Sequence, residues 1–407
     1  TMRPRLYEYD KHYHLFPVKV SDKLGYSSTL SNYDYRFGIP RTTTDMNGNI
    51  STTTLDNLGR IVSITGPNEY DPNDPAKHTI KFEYYPGAVT KNTNGTINNP
   101  AYAVTRHYDP LHPTDSIVTV TFVDGFGRPV QVKKDAVING EPKMIVSGRT
   151  RYDALGRAVE SYYPTVDELS NRTTFKREYD NYKTVNTYDV LDRVLTTRLP
   201  DGATTTMSYG IADSMLVTTV VDAEEGKQQT FTNGSGLTVK TLQYKHVNPD
   251  TVLTTLFDYD GVNQLIKVTD DAGKITESIY DLAGRRTQVT HPASGITKFE
   301  YDVAGNLITK QTANMLADNG NKKIQYFYAY NRLDSIVYPD HPENNVKYTY
   351  GAANDPVATR RGRLVSQEDG SGAQEFSYGK QGELTQVRRT LVIPNQAVAT
   401  YVTRWKY

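Results

Sequence analysis

The chain has 407 residues, with 46 basic and 46 acidic side chains and no cysteine. The balanced charge excludes an electrostatic footprint for nucleic acid or an anionic membrane. The missing cysteines exclude a disulfide scaffold, a thiolate metal site and a cysteine nucleophile. No apolar run approaches a membrane span, and TMRPRLYEYD has no apolar core of the signal-peptide kind. Tyrosine is the outlier, at 31 residues against 11 Phe and one Trp. Together with threonine runs such as TTTD and STTT, it fits a pleated, half-buried surface. Apolar spacing of three and four is rare, so an all-β fold with little helix is expected.

Residues 1–43 read as a lead-in β segment and 44–407 as a repeat region. In the lead-in, Asp10, His12 and His14 alternate in YEYDKHYHLF and would share one face of a strand. Two imidazoles and a carboxylate suit a non-haem metal. Neighbours on one strand seldom converge on one ion, so a polar strand face is the default reading. DMNGN at Asp45 is similar to a calcium loop, but Gly48 precedes Asn49, which reverses the order that loop needs. A repeated turn explains it better.

The repeat begins at LDNLGR (Leu55 to Arg60) and continues with VDGFGR (Val123 to Arg128), YDALGR (Tyr152 to Arg157), Tyr188-Asp189, YDLAGR (Tyr280 to Arg285) and YDVAGN (Tyr301 to Asn306). Tyr259, Tyr280 and Tyr301 stand at equal intervals of 21, and each opens a YD pair. TDMNGNISTTTLDNLGR at Thr44 aligns without a gap on TDDAGKITESIYDLAGR at Thr269. Arg60, Arg157, Arg193, Arg285 and Arg332 are each followed seven residues later by proline, at Pro67, Pro164, Pro200, Pro292 and Pro339. In D-x-x-G the aspartate can bond back to local backbone, and the glycine takes a left-handed conformation that closes a hairpin. The residues between Arg and Pro match an average strand, which proline ends because it cannot donate to a ladder. The tyrosine closes the returning strand, its ring expected against the equivalent Tyr of the next unit and its hydroxyl on a polar partner. A lone hairpin cannot bury its face. Stacked hairpins make one continuous antiparallel sheet crossed by rows of Tyr, Asp and Arg.

Several stretches break the register and read as insertions between strands: NEYDPNDPAKH after Pro67, NTNGTINNPAYAVTRHYDPLHP after Lys91, Ile211 to Asp250, QTANMLADNGN and GAANDPVATRRG. Asn-Gly pairs at Asn94, Asn139, Asn233 and Asn319 read as hairpin tips or loops.

Carboxylate pairs at Asp270-Asp271 and Asp258-Asp260 could serve a glycosidase, but they occupy repeated turn positions. GSGL at Ser235 has no strand-to-helix turn after it and is no nucleophile elbow. No phosphate loop is present. The expectation is therefore no enzyme, no catalytic, cofactor-binding or metal residue, and no cofactor. Exposed tyrosine rows can stack on sugar rings, which keeps a carbohydrate- or receptor-binding adhesin module as the alternative.

YDALGR, YDLAGR, YDVAGN and LDNLGR resemble the YD-repeat, or Rhs-repeat, family, over about Tyr33 to Leu384. The opening stretch, YEYDKHYHLF through TTTDMNGN, is similar to the approach to the repeats in B components of bacterial toxin complexes and in SpvB-like proteins. The resemblance implies that the sheet is curved into part of a hollow shell that encapsulates a C-terminal toxin or other polypeptide cargo, non-catalytic in this segment. It implies a secreted or cell-surface bacterial protein whose partners are that cargo and other toxin-complex subunits. Glycans would be partners under the adhesin reading; no nucleic acid and no membrane span are expected. The family's shells end in a DPxGL-like motif with aspartyl self-cleavage. Asp109-Pro110 and Asp355-Pro356 do not continue in that way, and the chain stops at TRWKY, where Tyr407 would begin a new unit. The sequence therefore reads as an excerpt of a longer polypeptide or a natural partial shell.

Overall fold

A computed structural model describes residues 5–74, 77–95, 97–177, 182–245, 248–318 and 322–406. Its regular structure is antiparallel strand, apart from one short α-helix, Ala313–Ala317, and three 3-10 turns. No helix among the described residues is long and apolar enough to cross a membrane. The chain forms two compact units, one made of Thr1–Thr79 with Ile275–Tyr407, the other of Ile80–Lys274.

In the first unit an antiparallel ladder runs in sequence order from Ile275–Tyr280 to Ala399–Arg404, each strand pairing with the next. The strands from Arg5–Tyr9 to Ile61–Thr65 pair in the same consecutive way. Burial alternates along many of these strands, as in Gly295–Tyr301, where half-buried and exposed residues take turns. Such alternation belongs to a sheet with one packed and one open face. Strands that reach their turn through a tyrosine shift register by one residue there, a bulge seen at Tyr280, Tyr301, Tyr350 and Tyr378.

The second unit holds the best-buried part of the chain. Val104, Val118, Val120, Phe122 and Val130 form an apolar cluster, with Tyr102, Tyr152 and Phe175 packed against it. They come from Ala101–Tyr108, Ser116–Val123 and Pro129–Ile138, which pair side by side. The stretch after Lys91 is therefore no insertion between strands, since it supplies Val104 to the centre of this sheet. Ile211 to Asp250 is likewise regular, with strands Met215–Val221, Lys227–Thr232 and Thr238–Lys245 in consecutive pairing. Its turns carry Asp222 and Asn233 without a preceding tyrosine, which hid them from a YD pattern.

The ladder has one interruption inside this unit. Glu141–Ser147 pairs with Thr165–Glu168, whereas Thr150–Tyr152 pairs with Ala158–Tyr162 and starts a new run. Gly148, at φ 64°, turns the chain between them. The strands thus form large continuous sheets instead of a single one. Across the face of the first sheet lies a strap, 169–177. Gln131, fully buried, binds the strap at both Lys176 N (3.0 Å) and Lys176 O (2.8 Å). Lys133, also fully buried, donates to Asp167 Oδ2 at 2.6 Å and to Asn171 O at 2.8 Å. Phe175 meets Phe122 edge-on at 5.5 Å.

Asn139-Gly140 is the expected hairpin tip, both residues with positive φ, between Pro129–Ile138 and Glu141–Ser147. Asn94 lies in a tight turn between the short strands Thr90–Lys91 and Ile97–Asn99. Asn319 and Tyr407 lie outside the described residues.

Candidate functional site

The repeated feature is the turn and what its arginine reaches. In YDLAGR, Asp281 N donates to Arg285 O at 2.9 Å and Gly284 N to Asp281 O at 3.0 Å. Asp281 Oδ1 accepts from the backbone of Ala283 and Arg285, both at 2.9 Å, and Oδ2 accepts from Arg285 Nε at 2.7 Å. Gly284 has φ 78°, the left-handed conformation that a closing residue needs. The Arg285 guanidinium and backbone N–H hold the Asp281 carboxyl below the usual carboxylate range. The turns at Asp56, Asp124, Asp153 and Asp189 repeat this pattern, each with Arg Nε on Asp Oδ2 at 2.7 Å.

The arginine also reaches forward. Arg285 Nη1 donates to Asp302 O of the following turn at 2.7 Å, and its guanidinium lies 5.1 Å from the centre of the Tyr301 ring. Arg157 does the same with Asp189 O (3.0 Å) and Tyr188 (5.1 Å). The tyrosine answers with its hydroxyl. Tyr301 donates to Arg286 O, Tyr188 to Ala158 O, Tyr209 to Val194 O and Tyr259 to Thr238 O, always the carbonyl just past the preceding turn. The rings of Tyr301, Tyr188 and Tyr209 face a guanidinium, a cation–π contact, and not the next tyrosine as the sequence suggested; the turn before Tyr259 has Leu237 in the arginine's place. Ring-on-ring contacts occur elsewhere, as between Tyr85 and Tyr102.

Of the carboxylates singled out in the sequence, Asp45, Asp260 and Asp270 serve in turns, whereas Asp258 stands on the strand Asn248–Tyr259, not at a turn position, and Asp271 accepts from that neighbouring strand. Asp45 Oδ1 accepts from the backbone of Asn47 and Asn49, with Asn49 Nδ2 on Oδ2, which is the repeat turn and not a calcium loop. Asp260 Oδ1 takes Val262 N and Gln264 N, Asp270 Oδ1 takes Lys274 N, and Asp271 Oδ1 takes Thr254 N. Asp258 lies 3.8 Å from Lys267. Ser235 sits inside the Asn233 turn, its N–H on Asn233 Oδ1.

Asp10, His12 and His14 do not share a strand face, because the strand Arg5–Tyr9 ends before them. Asp10 is buried and caps a loop, accepting from the backbone of His12 (3.0 Å), Tyr13 (2.5 Å), Leu15 (3.0 Å) and Phe16 (2.8 Å). Burial raises its pKa, but the four N–H donors outweigh that and hold it well below the ordinary carboxylate range. His12 packs on Tyr13 instead, at 4.4 Å. Among the described residues no group of three or more His, Cys, Asp or Glu is placed to hold a metal. A ring cluster of Tyr13, Phe16, Tyr33 and Tyr35 forms beside this loop. Sequence reasoning missed the strap and the four-donor loop, since neither recurs along the chain.

Two family models match. The RHS Repeat model covers 259–296, and a domain of unknown function, DUF6443, covers 93–201, which includes the buried cluster and the strap. No curated protein matches the sequence. Among solved structures, TcdB2-TccC3 superposes with a TM-score of 0.79 at 18% identity, over 99% of this chain and 23% of that one. The Photorhabdus luminescens Tc holotoxin pore carrying the TccC3 mutation D651A gives 0.78 at 18% identity, over 99% and 25%. The likeness is one of fold, and this chain spans about a quarter of the length of the chains it matches.

Proposed function

Because this chain carries an Rhs repeat and has the fold of the TcdB2-TccC3 structures, we propose that it is wall: part of a hollow shell that encloses a polypeptide cargo. Residues 1–43 would lead into the repeats of 44–407. The wall acts by sequestration and turns over no substrate. One observation carries this reading: the repeat aspartates are spent on closing their own turns, and Arg128, Arg157 and Arg285 are spent on reaching the next turn. Cargo, other toxin-complex subunits and a secreted or cell-surface bacterial setting belong to the same proposal.

The test is limited proteolysis of a polypeptide that carries this chain with flanking repeat sequence and a C-terminal cargo segment. The segment should resist added protease. Deleting one strand with its turn, 286–294, reverses the direction of every later strand and should expose it. If the segment is digested equally fast before and after the deletion, enclosure fails. A binding module then takes its place, a reading favoured by the exposed rings of Tyr13 and Tyr35, 5.0 Å apart. Ring faces of that kind stack on sugars.

A further inference from the structure

The turn before Arg332 lacks the carboxylate that other arginine turns hold. In the turns at Asp56, Asp124, Asp153, Asp189 and Asp281 the arginine Nε is met by an aspartate oxygen. At Arg332 the turn is contracted to Tyr330 and Asn331, both with positive φ, and Ala329 follows Tyr328 where aspartate follows the repeat tyrosine. Arg332 Nε is buried and has no hydrogen-bond partner among the described residues. A native protein seldom leaves such a donor unmet without a reason.

A depression opens beside this arginine. A cavity of about 320 Å³ is lined by Ala329 and Arg332, with Asp334, Lys347, Tyr348 and Tyr350 among its other walls. Its two cationic side chains outnumber its one carboxylate. The guanidinium is held in place, 4.6 Å from the Tyr350 ring centre and 5.8 Å from that of Tyr26. Tyr350 is itself fixed by its hydroxyl on Leu333 O at 3.0 Å. A planar guanidinium that is preorganised between two rings and without the carboxylate its counterparts hold is a receptor for one, which it meets from the cavity side through its terminal N–H donors.

We propose that the Arg332 cavity binds a carboxylate supplied from outside the turn, from an acidic side chain of a polypeptide or from a free small dicarboxylate. The site stands whether or not the chain encloses cargo. Ala329→Asp would return the repeat's own carboxylate and fill the site from within.

Thermal unfolding of the chain tests this, with sodium succinate and N-acetyl-aspartate amide as probes and sodium chloride at matched ionic strength as reference. The unfolding midpoint should rise saturably with a carboxylate. Response to N-acetyl-aspartate amide alone identifies a polypeptide side chain, and response to succinate a free dicarboxylate. Ala329→Asp should raise the probe-free midpoint and abolish the response, and Arg332→Gln should abolish it too. Should Arg332→Gln fail to fold, Ala329→Asp decides alone. No saturable rise with either probe, or an undiminished rise in Ala329→Asp, overturns the proposal.

Discussion

The guanidinium of Arg193 lies 4.1 Å from the ring centre of Tyr209, while its Nε holds Asp189 Oδ2 at 2.7 Å. One side chain thereby fastens its own turn and the strand that returns beside it. The tyrosine closes the circuit, its hydroxyl on Val194 O at 2.9 Å. Arg193→Ala removes a charge-assisted hydrogen bond and a cation–π contact, and should destabilise by about 1–3 kcal/mol. Tyr209→Phe keeps the ring and loses only the hydroxyl bond, about 0.5–1.5 kcal/mol. Denaturant unfolding of both variants checks the order; a larger loss in Tyr209→Phe would contradict it.

Gly284 closes its turn at φ 78°. Gly284→Ala should destabilise by about 1 kcal/mol or more, because a Cβ is strained there. Ala283→Gly, one position earlier, should do less. Equal tolerance of the two changes would mean that the turn does not need its glycine.

Lys133 is the buried pin of the strap, and Asp167 is its acceptor. Lys133→Ala leaves that carboxylate largely buried and unpaired, at a cost of about 3–5 kcal/mol. The double variant with Asp167→Ala should be less destabilised than the sum of the two single changes. A double-mutant cycle in urea measures the difference, and strict additivity would show that the two groups are not coupled.

Glu160 sets an acid limit. Its carboxylate takes Arg151 Nε at 2.7 Å, Lys183 Nζ at 2.7 Å and the Tyr162 hydroxyl at 2.8 Å. The Arg151 contact foremost, against the opposing effect of burial and with help from Lys183 and Tyr162, lowers its pKa to about 2. A carboxyl lowered in the folded state adds stability above its unfolded pKa of about 4.3, and that contribution is lost as pH falls through the folded value. Between about pH 4.3 and 2 the wild type should therefore lose more stability than Glu160→Gln. Thermal midpoints across that window test the sign, and parallel curves would dismiss Glu160 as a contributor.

Much of this ladder was legible in the chain because its parts recur. The Asp-to-Gly spacing gave the turn, and the Arg-to-Pro distance gave strands such as Ala158–Tyr162 and Val194–Arg198. The pairing of ring with guanidinium was hidden, since Tyr301 and Arg285 belong to different turns and meet only after the sheet forms. The Asn233 turn was masked by a conservative exchange, because its amide oxygen accepts the same two backbone N–H groups as an aspartate. The strap was out of reach for a different reason. Gln131 and Lys133 read as ordinary polar strand positions, and only the chain folded over them turns them into a core.

The forward reach of arginines such as Arg285 sets the grain in which such a gene can grow. From Tyr280 to Glu300 the chain leaves one turn, crosses the sheet and comes back to the same edge. A duplication of that length by unequal recombination inserts a complete out-and-back passage, and the old Arg285 finds a new ring and carbonyl waiting. A duplication of half that length sends the next turn to the opposite edge, where no arginine is aimed at it. Lineages that lengthen or shorten this ladder should thus differ by even numbers of strands.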